Sequence, residues 1–170
     1  MTAWGYLKTR GIRGMVLKLV GHPHTNGRVR SQQVRKFLKK IPTLDIGCGE
    51  GIFCLELFKR KIPVVGIDID ETSLINAQRN FNKMNAVVKT YHSAAEKTPF
   101  FQNSFEQVIC LDVLEHVKDP IVVIKEINRV LKTGGQAIIT VPNELYLTKS
   151  VWGFDFRGII KAVGHEGPGY

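Results

Sequence analysis

The chain has 170 residues, a hydrophobic content of 44%, 16 glycines, 7 prolines and a formal net charge of +9. A chain of this length normally makes one domain with its own hydrophobic core. The composition is that of an ordinary globular protein and excludes fibrous and low-complexity chains. No apolar run approaches the roughly 18 residues that a membrane span needs, and the first residues lack the pattern of a signal peptide.

The positive charge is concentrated near the N-terminus. Residues 1–44 contain ten lysines and arginines and no acidic residue, whereas the rest of the chain is nearly balanced. We assign residues 1–26 to a basic leader, whose charge favours an anionic partner such as a membrane surface, a nucleic acid or an acidic substrate. A solvated leader that only aids solubility is an equal alternative. Apolar residues among the charges suit a membrane surface, whereas the lack of stacking aromatics disfavours nucleic acid. Gly5, Gly11 and Gly14 weaken any helix here.

The three cysteines indicate a reducing compartment. Cys48, Cys54 and Cys110 are odd in number, lie in apolar surroundings and do not form a CxxC pair. Such a pattern is typical of reduced, buried thiols and not of a disulfide framework. We therefore expect the protein to be cytoplasmic.

A glycine-rich loop follows the first predicted strand of the central region. Residues 27–40 are typical of a helix that Pro42 ends, and Thr43–Ile46 are typical of a strand. The loop itself reads GCGEG from Gly47 to Gly51, and a helix is predicted over residues 51–60. Glycine permits a sharp turn and lets a ligand approach the backbone, and the first N–H groups of the next helix can face that ligand. The loop predicts the floor of a nucleotide-type pocket, with an ordinary tight turn as the alternative.

Two acidic residues end the second predicted strand, at about residues 63–68. Asp68 lies 17 residues beyond Gly51, near the position at which doubly wound sheets place a carboxylate that binds ribose hydroxyls. Asp70 is placed to cap a helix that begins near Glu71 and runs to Asn82. The alternative is that both aspartates are simple caps.

The remaining pattern alternates strands and helices. Strands are predicted at residues 86–91, 105–111 and 136–141, and a helix from residue 119 to about 132, with Asp119 as its cap and Pro120 as its first residue. We expect Gly134 and Gly135 to stop that helix. The alternation predicts an α/β fold with a doubly wound, mainly parallel sheet that carries helices on both faces. Residues 27–145 form this core.

Three titratable residues follow the strand at residues 105–111. Asp112, Glu115 and His116 lie within five positions, where loops at the end of a strand bring side chains over a pocket. Histidine can exchange a proton near neutral pH, so Glu115 and His116 could position or deprotonate a hydroxyl group. We take all three residues as catalytic candidates. The alternative is that Glu115 and His116 only brace the helix.

Five motifs in order carry a resemblance to a known family. These are LDIGCGEG, VGIDID, AAEKTPF, NSFEQVICLDVLEHV and LKTGGQAIITVPN, between about residues 28 and 143. They resemble the successive motifs of class I S-adenosylmethionine-dependent methyltransferases, in particular the branch that acts on quinones and other small molecules. The resemblance implies a Rossmann-like sheet of order 3-2-1-4-5, S-adenosylmethionine as cofactor with S-adenosylhomocysteine as product, and methyl transfer to an oxygen or carbon of a small or lipid-like acceptor.

The resemblance also implies the cofactor contacts. Asp45 would receive the methionine ammonium directly or through water, Asp68 would hold the ribose hydroxyls, and Ile69 would pack on the adenine. Arg28 or Arg30 could clamp the methionine carboxylate, although a solvated basic face is equally plausible. The backbone of the glycine-rich loop would approach the cofactor closely at Gly47, Cys48, Gly49 and Gly51. Leu111, at the end of the fourth strand, would border the cofactor.

The chain departs from the family pattern at the adenine site. The family often has Asp-Ala-Glu where this chain has Ala94-Ala95-Glu96. Ala94 removes one hydrogen bond to the adenine amino group, while the N–H of Ala95 can still reach a ring nitrogen. We expect weaker selection of adenine and not a loss of binding.

A metal site is a further hypothesis. Some related methyltransferases bind a divalent ion with an E-x-x-E-H array. In this chain Asp112, Glu115 and His116 have a similar spacing, which would place them on one helical turn. His165 could then be a distant fourth ligand. We assign no residue as a metal ligand. A metal-assisted O-methyltransferase of nucleic acids is a less favoured alternative to methyl transfer onto a small molecule.

The tail, residues 146–170, is too short for the helix and hairpin that usually close this sheet. We favour a C-terminally truncated chain; the alternative is that something else covers the edge of strand five. An uncovered edge invites pairing, so a homodimer is expected. The tail could form an incomplete acceptor region, with aromatic residues at Trp152, Phe154 and Phe156.

Two functions from other classes remain. A catalytically silent module that only binds the cofactor is favoured by Ala94 and by the short tail. A dinucleotide-binding dehydrogenase is disfavoured because Ile52 occupies the position of the third glycine in that fingerprint.

Overall fold

One sheet organises the part of the chain that the structure describes. A computed structural model describes residues 6–10, 16–22, 32 and 34–142, with the side chains of residues 32 and 34–141. The strands run in the spatial order β1-β2-β7-β6-β3-β4-β5. Their bounds are β1 Tyr6–Arg10, β2 Val16–His22, β3 Thr43–Ile46, β4 Val64–Asp68, β5 Lys89–His92, β6 Phe105–Leu111 and β7 Leu131–Pro142.

The five strands from β3 to β7 confirm the predicted fold class. All their pairings are parallel. In chain order these strands are one to five, and their order in space is 3-2-1-4-5. Since all five run in the same direction, their carboxyl ends meet at one edge of the sheet, which is where ligands bind in doubly wound folds.

The basic leader contributes two further strands. β1 and β2 pair antiparallel, and β2 pairs in parallel with β7 over seven residues, from Val16 opposite Gln136 to His22 opposite Pro142. β2 therefore covers the outer edge of β7, which is the alternative named in the sequence analysis, and the expected homodimer loses the basis of an uncovered edge. The tail lies outside the described residues.

Three of the helices in the described part of the chain pack on the sheet. They are α1 Ile52–Lys59, α2 Glu71–Lys83 and α3 Pro120–Val130. The predicted caps are confirmed: Asp70 accepts hydrogen bonds from the N–H groups of Thr72 and Ser73, and Asp119 accepts one from Ile121. Of the predicted helix at residues 27–40, residues 32, 34 and 35 are helical and residues 36–40 are not, so its predicted end is wrong. Residues 27–31 and 33 lie outside the described part.

Two further predicted boundaries are wrong. The third strand begins at Lys89, not at residue 86, because Ala86 and Val88 are buried under α2 before the strand pairs. Helix α3 ends at Val130 and β7 begins at once with Leu131, so Gly134 and Gly135 lie inside the strand. Gly134 has a φ of +79°, at an irregularity in the pairing between β6 and β7.

The core lies on both faces of the central strands. All four residues of β3 are buried, and Ile46, Ile67, Val108 and Ile139 belong to the largest apolar cluster. The three cysteines are buried and unpaired with one another, as predicted. A hydrogen bond with Cys48, burial and the nearby carboxylate of Asp45 raise the pKa of Cys54, which keeps this thiol protonated.

A buried polar network ties the segment before β3 to the sheet. The side chain of Gln107 donates to the Thr43 hydroxyl, and its amide oxygen accepts from the backbone N–H of Lys39. Gln136 donates to that same oxygen and to the carbonyl of Phe37. Buried amides require such partners.

Among the described helices, none is both long and apolar enough to cross a membrane.

Replacement of Gly51 by alanine is expected to destabilise the fold more than replacement of Gly49. Both glycines have left-handed backbone, with φ of +73° and +51°, a conformation that costs an alanine about 1–2 kcal/mol. A Cβ at Gly51 would lie 2.5 Å from the ring of Phe81, whereas a Cβ at Gly49 meets no atom within 4 Å. The clash should add about 1–3 kcal/mol. Urea unfolding of both variants measures this difference, and equal losses of stability would contradict the described packing of Gly51 on α2.

Candidate functional site

A cavity of about 310 Å³ opens at the carboxyl ends of β3, β4 and β6. The loops that follow these strands and β5 line it. The lining residues are Gly47, Asp68, Ile69, Ser93, Ala95, Glu96, Asp112, Val113, His116, Val117 and Lys118. Six residues predicted from the sequence therefore meet in one cavity: Gly47, Asp68, Ile69, Ala95, Asp112 and His116.

The glycines of the loop are required for two different reasons. A Cβ at Gly47 would lie 2.2 Å from a methyl group of Val113, so the loop after β6 packs directly on the backbone of Gly47. Gly49 faces open space, which leaves the backbone accessible to a ligand. Close approach is therefore available at Gly49, whereas the absence of a side chain at Gly47 serves the packing of Val113.

Most N–H groups of the loop bind within the protein. Gly47 and Cys48 both donate to the carbonyl of Ile67, and Gly51 donates to the carbonyl of Cys48. Gly49 donates to the carboxylate of Asp68. The N-cap of α1 is Gly51, which has no side chain to satisfy the first N–H groups of the helix. The hydrogen bonds of the loop amides thus shape the turn.

Asp68 joins the loop to β4. One carboxylate oxygen accepts from the Gly49 N–H at 2.7 Å, and the other accepts from the Asp70 N–H at 2.9 Å. A carboxylate offers about four acceptor positions, so two bonds leave capacity on the cavity side. Asp68 therefore fits the predicted role of a ribose-binding carboxylate.

Asp45 lies beneath the site. Its side chain is 2% exposed and accepts a hydrogen bond from the thiol of Cys54 at 3.1 Å. It is not among the residues that line the cavity. Direct contact between Asp45 and a ligand ammonium thus has no support here, and the predicted water-mediated contact is the version that suits this burial.

The wall beside β5 carries the residues expected near the adenine. Ile69 is 69% exposed although it is apolar, and it lines the cavity together with Ala95. Ala94 is half-buried and does not line it. An exposed isoleucine at the mouth of a cavity supplies a flat apolar surface on which a planar ring can pack.

Asp112 has an unusual backbone that its neighbour on β7 stabilises. Its φ is +55°, a left-handed value at a residue that is not glycine. The hydroxyl of Thr140 donates to the Asp112 carboxylate at 2.6 Å, and the Asp112 N–H donates back to Thr140. Asp112 therefore lines the cavity at the end of β6 and precedes the 3₁₀ turn at Leu114–His116.

The predicted helical turn of three titratable residues is wrong. A single 3₁₀ turn spans Leu114–His116, whereas Asp112 precedes it in the left-handed conformation. His116 is exposed and lines the cavity, and Glu115 is half-buried and does not line it. Among the described side chains, no three His, Cys, Asp or Glu residues are arranged to hold a metal ion. His165 lies outside the described residues.

The other predicted residues lie around the site or beyond the described part. Cys48 is buried against Gly66 of β4, where a Cβ would lie 2.8 Å from its sulfur. Gly51 caps α1, and Leu111, the last residue of β6, packs against an apolar cluster. Residues Arg28, Arg30, Trp152, Phe154 and Phe156 lie outside the described residues.

Several residues that shape the site are not evident from the sequence. Val113 and Thr140 hold the loops after β3 and β6, and they contact residues far away in the chain. A hydrogen-bonded group of Thr98, Glu126 and Arg129, of which the first two are buried, attaches the loop after β5 to α3. The signal in the sequence is weak: a threonine in a strand and a glutamate three residues before an arginine in a helix are common.

Removal of the Thr140 hydroxyl should destabilise the protein through Asp112. Thr140→Val keeps the shape of the buried side chain and removes the donor to the carboxylate, which should cost about 1–3 kcal/mol. Thr140→Ser keeps the donor and loses only a methyl group. Chemical unfolding compares the two variants, and a valine variant as stable as the serine variant would contradict the proposed support of Asp112.

Comparison with known proteins agrees with this geometry. A methyltransferase domain family matches residues 44–139. The chain is 38% identical over 109 residues to the ubiquinone biosynthesis O-methyltransferase of Pseudomonas aeruginosa strain LESB58, an alignment that covers 62% of this chain and 45% of that protein. The chain thus spans about half the length of the curated relatives that it matches.

Two solved structures share the fold. The PH0226 protein of Pyrococcus horikoshii superimposes with a TM-score of 0.61 at 30% identity, over 68% of this chain and 58% of that chain. An S-adenosylmethionine-dependent methyltransferase of Methanosarcina mazei superimposes with a TM-score of 0.55 at 29% identity, over 59% of this chain and 52% of that chain. Since the family match spans more than half of its residues, the chain belongs to this methyltransferase domain family.

Proposed function

We propose that this chain binds S-adenosylmethionine in the cavity at the carboxyl ends of the strands and transfers its methyl group to a hydroxyl oxygen of a small, lipid-like acceptor. The observation that carries the proposal is that Asp68, Ile69 and Ala95 line one side of a cavity whose other side has Asp112 and His116. A cofactor-holding wall and titratable groups therefore share one space of about 310 Å³.

The residues present fit an adenosine group. Asp68 retains acceptor capacity for two ribose hydroxyls, exposed Ile69 offers a surface to the adenine, and Gly49 faces open space where a side chain would obstruct a ligand. Ala95 lines the same wall, so its backbone is available to the base. We assign Asp45 to the methionine end through water, because it is buried beneath the loop.

The protein has few chemical tasks in such a reaction. When bound, S-adenosylmethionine supplies a methyl group that its positively charged sulfur already activates. The chain must hold the two reactants in line and exclude water, which accounts for much of the acceleration in reactions between two bound molecules. The rigid loop around Gly47 and the hydrogen-bonded Asp112 are suited to this positioning task.

His116 is the residue that we assign to the acceptor hydroxyl. It is exposed and lines the cavity between the apolar side chains of Val113 and Val117. A ring nitrogen of His116 can accept the proton that the hydroxyl loses as its oxygen is methylated. We choose oxygen over carbon because the curated relatives are named O-methyltransferases of ubiquinone biosynthesis. The same names support a lipid-like acceptor.

The cellular setting belongs to the same proposal. Three buried, unpaired thiols suit the reducing conditions of the cytoplasm. Contact of the basic leader with an anionic membrane surface and formation of a homodimer stay predictions. Vesicle binding and light scattering test them independently of catalysis.

Calorimetry and a transfer assay test the function directly. The chain should bind S-adenosylhomocysteine and not NAD, and it should move a labelled methyl group from S-adenosylmethionine to phenolic or quinol compounds that extract into organic solvent. Binding without transfer to any such acceptor would favour the silent module, which the departure at Ala94 also favours. Tighter binding of NAD than of S-adenosylhomocysteine would refute S-adenosylmethionine as the cofactor of this chain.

Loss of the Asp68 charge should weaken cofactor binding. Asp68→Asn keeps an acceptor for Gly49 but removes the charge that the ribose hydroxyls meet, so affinity for S-adenosylhomocysteine should fall by about 1–3 kcal/mol, roughly 5- to 150-fold. Asp70→Asn is the matched control, because Asp70 caps α2 and does not line the cavity. Equal affinities for the two variants in calorimetry would remove Asp68 from the ribose site.

Replacement of His116 should affect turnover and spare cofactor binding. Loss of a general base commonly lowers the rate by about 100-fold or more, so His116→Ala should reduce methyl transfer to that extent while S-adenosylhomocysteine binds within about twofold. His116→Gln tests polarity without proton transfer and should be equally slow. Turnover near that of the unmodified chain in either variant would leave His116 with a structural role only.

A further inference from the structure

The loop that forms the wall beside β5 is closed by its own hydrogen bonds. The hydroxyl of Ser93 donates to the carbonyl of Lys97, and the N–H of Lys97 donates to the carbonyl of Ala94. Ser93, Ala95 and Glu96 of this turn line the cavity. These bonds hold the turn together, and its attachments at the two ends connect it to the rest of the protein.

The first attachment is to the end of β4. The N–H of Ser93 donates to the carbonyl of Asp68 at 2.9 Å, and Nε2 of His92 donates to the carbonyl of Ile69 at 2.8 Å. These bonds join the loop to the strand that carries the ribose carboxylate. They hold only the first residues of the loop.

The second attachment is a group of hydrogen bonds that joins the far end of the loop to Glu126 and Arg129 of α3. Glu126 is 7% exposed, and one of its carboxylate oxygens accepts from both the N–H and the hydroxyl of Thr98, each at 2.7 Å. Arg129 donates to both oxygens of Glu126 at 2.6 Å and to the carbonyl of Phe100 at 2.9 Å. A forked guanidinium fixes both distance and direction.

The charge on Glu126 is retained in this setting. Burial by itself would raise the pKa of Glu126, but hydrogen bonds from Arg129 and Thr98 outweigh it and leave the pKa below its ordinary value. A buried carboxylate with charged and neutral donors is costly to disturb, because removal of one partner leaves the others unsatisfied. The group is therefore rigid.

Aromatic contacts support the same end of the loop. The ring of Phe100 meets those of Tyr91 and Phe105 edge to face, with centroids 5.5 and 4.9 Å apart. The N–H of Asn103 also donates to the carbonyl of Arg129. Thr98 and Phe100 are thus fixed to α3 and β6 on the side away from the cavity.

We propose that Thr98, Glu126 and Arg129 are positioning residues that set the adenine-side wall of the cofactor cavity, and we name these three residues the α3 latch. This inference rests on the proposed function, since it takes the wall at Ala95 as the adenine side. None of the three residues lines the cavity. The latch acts through the backbone of residues 93–97, so its loss displaces the wall without removing a ligand contact.

The test compares latch variants with a matched surface variant. Thr98→Val removes the hydroxyl and keeps the shape, Thr98→Ser restores the hydroxyl, and Arg129→Lys keeps the charge but loses the fork. Lys132→Gln is the control, because Lys132 forms an exposed ion pair with Glu106 close to the end of α3. Thermal unfolding of each variant first establishes that it is folded.

Two measurements then report on the loop and on the cavity. Hydrogen–deuterium exchange of residues 93–101 without ligand should be faster in Thr98→Val and Arg129→Lys, and as slow as in the unmodified chain in Thr98→Ser and Lys132→Gln. Calorimetry should show S-adenosylhomocysteine binding about tenfold weaker in the first two variants. In the same two variants, the preference for S-adenosylhomocysteine over S-inosylhomocysteine, which differs only in the base, should also decrease.

Two results would overturn the latch. Exchange at residues 93–101 as slow in Thr98→Val and Arg129→Lys as in the control would show that the loop does not depend on these contacts. Faster exchange with unchanged affinity and unchanged base preference would show that the contacts are structural only. If the unmodified chain binds no S-adenosylhomocysteine, the proposed function fails, while the exchange measurement still decides whether the latch holds the loop.

Discussion

The hydrogen bond from the Gly49 N–H to the Asp68 carboxylate is the contact on which the site depends. At 2.7 Å, it joins the glycine loop to the end of the neighbouring strand, and the second oxygen of Asp68 also fixes the N–H that precedes α2. One carboxylate therefore sets the loop after β3 relative to the loop after β4. These bonds use two of its roughly four acceptor positions, and Asp68 also lines the cavity. The proposed contact with a ribose would use the others.

The other loops that line the cavity are likewise held by contacts with neighbouring elements. Val113 packs on the backbone of Gly47, and Thr140 on β7 holds Asp112 in its left-handed conformation. Helix α3 holds the loop after β5 through Thr98. Thr140 and Thr98 do not line the cavity and fix residues that do, whereas Val113 lines the cavity and also packs on Gly47. Methyl transfer asks mainly for such fixed geometry.

The parts of the fold that depend on local chemistry could be predicted from the sequence. Asp70 and Asp119 cap their helices because an aspartate before a helix accepts from its first N–H groups wherever it occurs. The order of the five strands followed from the resemblance to a family. The pairing of β2 with β7 was missed, since a strand that pairs with a residue more than 100 positions away leaves no local signal. The contacts of Val113, Thr140 and Glu126 were missed for the same reason.

A structure of the chain with S-adenosylhomocysteine tests the central claim most directly. The account predicts both ribose hydroxyls within hydrogen-bond distance of the Asp68 carboxylate, the adenine on Ile69 between the loops after β4 and β5, and the sulfur directed toward Asp112 and His116. Density for the ligand at another surface, or an adenosine in this cavity that does not touch Asp68, would contradict it.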